Sequence, residues 1–296
     1  MSLPEFEKYK INRKICKKFC YTLYDGVDKI NEKKRYLKVL DEKLARDPVK
    51  VYHFLNGARM SSLLIEHQIC KIYDYGKLQN CYFIVSDPIN FKPLSLYIHE
   101  EFPLKLDKVV DLMVRICEPL RNAHLRGMVH GMINPGCIYV GNDGSVKIDD
   151  FGYAWITPYL LEIEEAEAMY LAYYIAPELF TRPGRIDGRA DMYSLGIILL
   201  QMLTDYVPLH YLDKSPQNKR YGVNVETWRN ILNGHPKGLK TILYKLLDRN
   251  PETRFSNLRE MIKEFKLLKK YIPSAPSESN LSQSPFRTLT HPFEGV

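Results

Sequence analysis

An aspartate and a lysine are the residues of this chain best suited by type to do chemistry. Asp150 stands in Ile148-Asp149-Asp150-Phe151-Gly152, 20 residues after His130. A carboxylate in such a turn is a hard oxygen ligand of the kind magnesium takes. Lys38 lies in the run Arg35-Tyr36-Leu37-Lys38-Val39-Leu40, where strand alternation puts Tyr36 and Lys38 on one face. An ammonium there can meet an anion. Thiol chemistry is not indicated. Cys16, Cys20, Cys70, Cys81, Cys117 and Cys137 are scattered without a C-x-x-C pair, so reduced thiols are expected rather than disulfides or zinc.

The elements that must carry these residues change character along the chain. Up to about residue 90 the pattern is mostly strand. Residues 9–15, 19–24 and 35–40 are short stretches separated by turn signals such as Asp25-Gly26, and 70–75 and 80–85 follow. A helix is predicted over 48–66, capped by Asp47 with Pro48 in its first position. From Leu106 the spacing becomes helical through Val109, Val110, Met113, Cys117 and Leu120, with a kink expected at Pro119. Gly141-Asn142-Asp143-Gly144 between two short runs predicts a hairpin. Helices are predicted again over 191–203, 225–232, 239–247 and 257–268. Pro273, Pro276, Pro285 and Pro292 among serines then mark a flexible tail.

Composition narrows the class. A chain of 296 residues that is 45% apolar and 26% charged has the balance of a folded protein with a sizeable core. No apolar run approaches the roughly 18 residues of a membrane span. The first residues lack the apolar core of a signal peptide, so a cytoplasmic protein is expected. Residues 1–50 hold 14 Lys+Arg against 8 Asp+Glu, which is +6 of the chain's +7. No zinc-finger or RNA-binding signature accompanies them, so nucleic acid is not expected. Lys17 and Lys18 read as solvated hairpin lysines.

Four segments, in order and at the right spacing, make the chain resemble the eukaryotic-type Ser/Thr protein kinase family. Asp150-Phe151-Gly152 resembles D-F-G, Ala176-Pro177-Glu178 resembles A-P-E, and Asp191-Met192-Tyr193-Ser194-Leu195-Gly196 resembles D-x-W-S-x-G. Arg254 in Asn250-Pro251-Glu252-Thr253-Arg254 resembles the late arginine that pairs with the A-P-E glutamate in that family. The resemblance covers about residues 5 to 270 and implies an α+β, bilobal kinase-like fold. Residues 1–87 would form a small β-rich N-lobe and 88–270 a larger α-helical C-lobe, with 271–296 as a Pro/Ser-rich flexible tail.

The same comparison shows what is missing for phosphoryl transfer. The family's H-R-D-L-K-P-x-N loop aligns with His130-Gly131-Met132-Ile133-Asn134-Pro135-Gly136-Cys137. Met132 stands for the catalytic base, and a thioether takes no proton. Asn134 stands for the phosphate-steadying lysine, and Cys137 for the asparagine that holds magnesium, which is a poor ligand for a hard cation. In the phosphate-covering hairpin the three glycine positions are Cys16, Lys18 and Tyr21, whose side chains obstruct a close approach of backbone to phosphate. The helix glutamate that pairs with the strand lysine falls near Asn56 or Gly57.

Lys38 and Asp150 remain as vestigial cofactor-binding residues, and Lys38 is open between pairing with Asp150 in place of the missing glutamate and being simply a lysine of the small lobe. Asp150 itself is open between a magnesium ligand and a purely structural turn. Tyr36, Ser86 and Tyr139 are expected to line the nucleotide pocket, with the two phenols filling it. Gly131 replaces the arginine that receives an activation-loop phosphate, and that loop carries Glu162, Glu164, Glu165 and Glu167, open between a solvated segment and one that docks on the basic small lobe.

These substitutions imply a pseudokinase, a catalytically inactive kinase-like domain that acts as a regulatory or scaffolding protein-binding module. No catalytic residue, no metal and no cofactor are then expected. The alternative is a divergent ATP-dependent kinase or a nucleotide-binding switch that uses Lys38 and Asp150 with ATP and magnesium or manganese. The expected partners are proteins, with no membrane.

Overall fold

The structure is a computed structural model that describes residues 6–79, 81–157, 170–181, 186–205, 209–211, 221–223 and 232–272. Its first layer is an antiparallel five-stranded sheet in the order β1-β2-β3-β5-β4. The strands are β1 Tyr9–Lys17, β2 Tyr21–Asp28, β3 Lys34–Leu40, β4 Ile72–Leu78 and β5 Cys81–Ser86. Alternation along β3 divides its side chains between two faces. Leu37 and Val39 join Phe6, Tyr9, Phe83 and Val85 in a core on the outer face, while Tyr36 and Lys38 take the other side, toward the second lobe.

Between β3 and β4 the chain forms α1, Glu42–Ala45, and α2, Pro48–Ser61. Asp47 caps α2 by accepting hydrogen bonds from the backbone N–H groups of Val49 and Lys50, as its sequence predicts. The helix stops at Ser61, five residues short of the expected end. Ser61 Oγ donates back to Gly57 O and Ser62 Oγ to Arg59 O, side-chain bonds that compete with further helical ones. Glu66 lies beyond the turn and pairs with Arg126.

A second correction concerns Asp25-Gly26, which lies inside β2 rather than in a turn. The glycine is there for space: a Cβ on it would lie 2.8 Å from both Leu37 Cδ1 and Lys10 O.

The second lobe is helical. It contains α3, Leu94–Glu101, which sequence periodicity did not reveal, and α4, Leu106–Leu125, which continues past Pro119. Next come the short strands β6 Lys92–Pro93, β7 Ile138–Val140 and β8 Val146–Ile148, the last two joined by the predicted Gly141–Gly144 hairpin. Then follow α5 Pro177–Thr181, α6 Gly188–Thr204, α7 Lys237–Leu246 and α8 Leu258–Lys269. Every residue of α6 from Ala190 to Thr204 is buried, which explains its unbroken apolar run.

The expected bilobal α+β architecture is therefore present. The predicted helix over 225–232 lies almost wholly outside the described residues, as do the four glutamates of 162–167 and nearly all of the tail. Among the described residues no helix is long and apolar enough to cross a membrane.

Two polar anchors hold the helical lobe together. Asp191, fully buried at the start of α6, accepts the backbone N–H groups of His130 at 2.9 Å and Gly131 at 2.7 Å, and His124 Nε2 at 2.7 Å. Burial opposes its charge, but the His124 hydrogen bond and the neighbouring histidines hold its carboxyl below the usual range. The buried guanidinium of Arg254 donates to both carboxylate oxygens of Glu178, at 2.7 and 2.8 Å, and to the carbonyls of Asp248 and Arg189. Arg254→Ala would strand Glu178 and two carbonyls, so a loss of about 3–5 kcal/mol is expected. Urea denaturation monitored by circular dichroism measures it, and a loss below about 1 kcal/mol would show that this pair is not an anchor.

Candidate functional site

The cleft between the lobes is organised by one buried ammonium. Lys38 Nζ lies 2.6 Å from Asp149 Oδ1 and 2.7 Å from Asp150 Oδ1. The side chain is only 2% exposed. Burial works against its charge, but Asp149 and then Asp150 outweigh it and hold the ammonium above the ordinary lysine range. The partnership with Asp150 is present, and Asp149 adds a second counter-ion that the sequence did not disclose.

The helix offers Lys38 no acid, and its glutamate position has become a contact. A Cβ on Gly57 would lie 3.2 Å from Phe151 O, and one on Gly152 would lie 3.0 Å from Gly57 Cα. Backbone meets backbone here, so α2 rests directly on the D-F-G turn, and a side chain at either position would push the two apart by a few tenths of an ångström. Behind Lys38 a small cavity bordered by Ala58, Ser61, Cys70, Ile72 and Ile84 leaves 10 Å³ for the centre of a water-sized sphere, about enough for one water.

Two further side chains close on Asp150 from the β1–β2 hairpin. The Tyr21 hydroxyl donates to the Asp150 carboxylate at 2.9–3.0 Å, and Lys18 Nζ sits 3.3 Å from Asp150 Oδ2. Lys18 also donates to Gly136 O at 3.1 Å and to the Tyr139 hydroxyl at 3.3 Å. These are two of the three former glycine positions. The reading of Lys18 as a solvated lysine is therefore corrected: the turn closed by Lys18 N–H to Tyr21 O turns its side chain into the cleft. Lys17, which pairs with Asp41 at 3.4 Å, does stay on the surface.

Burial would raise the Asp150 carboxyl. Lys38 and Lys18, with hydrogen bonds from Lys38 and Tyr21, instead hold it well below the usual carboxylate range. Burial and the neighbouring aspartates push the Tyr21 phenol up, so it remains a donor.

The catalytic loop is turned in on itself. Met132 is buried, and Asn134 spends its amide on the loop, donating from Nδ2 to Met132 O at 2.9 Å and accepting from Gly136 N at 2.8 Å. The Cys137 thiol donates to Asn134 O at 3.1 Å, and burial pushes its pKa up, so it stays neutral. His130 is neutral for the same reason. Its Nε2 donates to Asp149 O at 2.9 Å while Nδ1 accepts from Met132 N at 3.4 Å, and its ring packs 4.6 Å from that of Phe151.

Gly131, in the place of the phosphate-receiving arginine, has φ +76°, and a Cβ on it would lie 2.5 Å from Ala154 Cβ. The 3-10 turn Ala154–Ile156 thus occupies the space next to the loop. That turn is held by rings: Tyr153 packs against Tyr21 and Phe54, and Trp155 stacks on His53 of α2 at 6.1 Å.

Ser86 is buried at the end of β5, directly across from Tyr36. The Tyr36 phenol reaches Ile89 O at 3.5 Å, in the segment joining the lobes, while the Tyr139 phenol reaches Lys18.

The fit to magnesium fails on this geometry. The Asp150 carboxylate is engaged by two ammonium groups and a phenol, Asp149 pairs with Lys38, and the loop supplies a neutral thiol instead of an amide oxygen. The fit to nucleotide phosphates fails as well, because side chains at 18 and 21 occupy the face where backbone amides would receive them.

Comparison with known proteins adds the family context. The family model described as the protein kinase domain matches residues 11–266. A probable serine/threonine-protein kinase of Clostridium acetobutylicum is 27% identical over 263 residues, which cover 88% of this chain and 40% of that protein. Serine/threonine-protein kinase PrkC of Bacillus subtilis is 26% identical over 270 residues, again 88% of this chain and 40% of the relative. The chain thus spans about 40% of the length of these curated relatives. The crystal structure of the PknI kinase domain of Mycobacterium tuberculosis superposes with a TM-score of 0.69 over 90% of this chain and 98% of that one, at 22% identity, and so shares the fold.

Two measurements probe this geometry. Gly131→Arg restores the family's residue but forces a left-handed backbone costing about 1–2 kcal/mol and a clash with Ala154. A fall in Tm of several degrees and a red shift of Trp155 emission are expected, whereas an unchanged Tm would mean that the turn yields freely. The depressed Asp150 pKa adds a sign: its stabilisation is complete above the ordinary aspartate value of about 3.9 and is lost as pH falls through the folded value. Asp150→Asn should therefore flatten the acid limb of a stability–pH curve between about pH 5 and 2, and an unaltered limb would contradict the assignment.

Proposed function

The chain belongs to the protein kinase domain family, and within that family we propose that it is a pseudokinase, a regulatory or scaffolding module that works by binding protein partners. The observation that carries this reading is the state of Asp150. The residue that should hold the metal is instead paired with Lys18 and Lys38 and accepts a hydrogen bond from Tyr21. The catalytic loop adds its own support, with Met132 in place of the base and Asn134 and Cys137 bonded back to their own loop. A missing base alone lowers phosphoryl transfer by about 10²–10⁴, and here the metal site and phosphate loop are altered as well.

Exposed apolar side chains on the small lobe support partner binding: Val49 and Tyr52 near the start of α2, and Leu63 and Ile65 just beyond its end, are all more than half exposed.

A second reading keeps its own observation. Lys38 and Asp150 are in contact across the cleft, and the curated relatives are named as serine/threonine-protein kinases. A divergent kinase or nucleotide switch would use that pair. The two readings separate on incubation with radiolabelled ATP and either magnesium or manganese, alongside thermal unfolding. A pseudokinase with a closed cleft gives no label transfer and no rise in Tm. A Tm rise that Lys38→Met abolishes, without transfer, favours the switch, and transfer lost in Asp150→Ala establishes the kinase.

A further inference from the structure

Lys18 Nζ lies at the meeting point of three hard oxygens from two loops. Gly136 O of the catalytic loop is at 3.1 Å, the Tyr139 hydroxyl oxygen of β7 at 3.3 Å, and Asp150 Oδ2 of the D-F-G turn at 3.3 Å. A carbonyl, a phenol and a carboxylate around one point make the donor set of a hard-cation site. The distances belong to a different cation. Magnesium needs oxygens at about 2.0–2.1 Å, about 1 Å closer than these, whereas 3.1–3.3 Å is the range of ammonium hydrogen bonds. The ammonium has three N–H donors, and the site supplies three acceptors.

Charge gives the same answer independently of distance. Lys18 and Lys38 face Asp149 and Asp150 in one connected set of ion pairs. The set is neutral as it stands. A divalent cation entering it would add two positive charges to a buried and already balanced group, so an ammonium would have to leave first.

We infer that the Lys18 ammonium is a built-in replacement for a divalent cation in this cleft, held between the catalytic loop and the D-F-G turn. This deepens the reading of the cleft as closed to phosphoryl transfer and rests on it. The sequence logic is specific. A glycine at position 18 could leave the oxygens free, and only a long basic side chain reaches from the hairpin to all three. Lys18 remains charged in this setting, since the surrounding oxygens overcome the cost of its burial.

Manganese, which electron paramagnetic resonance counts directly when free, tests the replacement without nucleotide or activity. The whole chain should take up no manganese at a site that depends on Asp150. Lys18→Ala should bind it at least tenfold more tightly, and the gain should vanish in the double variant Lys18→Ala/Asp150→Asn. Lys18→Arg, which keeps the charge, should still exclude the metal. Lys18→Met, which keeps the aliphatic stem, repeats the test should the alanine variant prove unfolded by circular dichroism.

Asp150-dependent manganese binding by the unaltered protein, as tight as in the variants, overturns the proposal. So does a folded Lys18→Ala or Lys18→Met that binds none. Label transfer from ATP by the unaltered protein would overturn the pseudokinase reading while leaving the manganese comparison to decide the role of Lys18.

Discussion

A charged lysine buried between two lobes must have its counter-ions brought to it, and much of the cleft follows from that requirement. Lys38 is 2% exposed, and an uncompensated ammonium at such depth costs several kcal/mol. Helix α2 contains no acidic residue to meet it. The D-F-G turn therefore supplies both carboxylates, Asp149 and Asp150, and is drawn against β3. The turn then lies so close to α2 that a Cβ at 57 or 152 would meet backbone at 3.2 or 3.0 Å, and Gly152 also holds a left-handed φ of +80°. The two carboxylates on Lys38 and the Gly57 contact belong to one arrangement of the D-F-G turn.

Two polar networks sit side by side in the helical lobe and differ in what they bond to. The Asp191 network spends its carboxylate on the backbone of residues 130 and 131 and on His124, and so fixes the path of the catalytic loop. The Arg254–Glu178 pair ties the A-P-E helix to the rest of the lobe. Neither needs a substrate to be satisfied. The loop they support bears side chains at 132, 134 and 137 that are buried or bonded within the loop itself. The scaffold that would present catalytic groups is complete, and the groups it presents are satisfied already. Polar satisfaction within the chain and reactivity toward a ligand are alternatives for the same atoms.

Most of the fold was legible because its signals are local or ordered along the chain. The Asp47 cap, the Gly141–Gly144 hairpin and the four motif segments each need only a few neighbours to be read. The misreadings are also local in cause. Asp25-Gly26 has the composition of a turn, yet its glycine answers a clash with Leu37 and Lys10 that only the paired strands create. The end of α2 was set by serine back-bonding rather than by a glycine or proline.

The site was less legible, since its decisive contacts join residues more than 100 positions apart, as Lys18 with Asp150 and Lys38 with Asp149 do. One signal was available and was read in pieces. Long polar side chains at glycine positions and a missing helix acid occur in the same small lobe, and together they describe a cleft that supplies its own ions.

The basic residues of 1–50 include two contrasting sets once burial is known. Lys8, Arg13, Lys17 and Arg46 lie on the surface, each within 4.0 Å of a nearby carboxylate of the same small lobe. Such exposed pairs contribute little to stability and are screened by salt. Lys18 and Lys38 point inward, and there the same unit charge fixes the conformation of a turn and decides which cations can enter. Counted along the sequence, these lysines are equivalent, and the sum suggested a docking face. The difference between them is solvent. An ammonium in water is one of many interchangeable charges, whereas an ammonium in a cleft with three oxygens around it has a defined place that another cation can take only by displacing it.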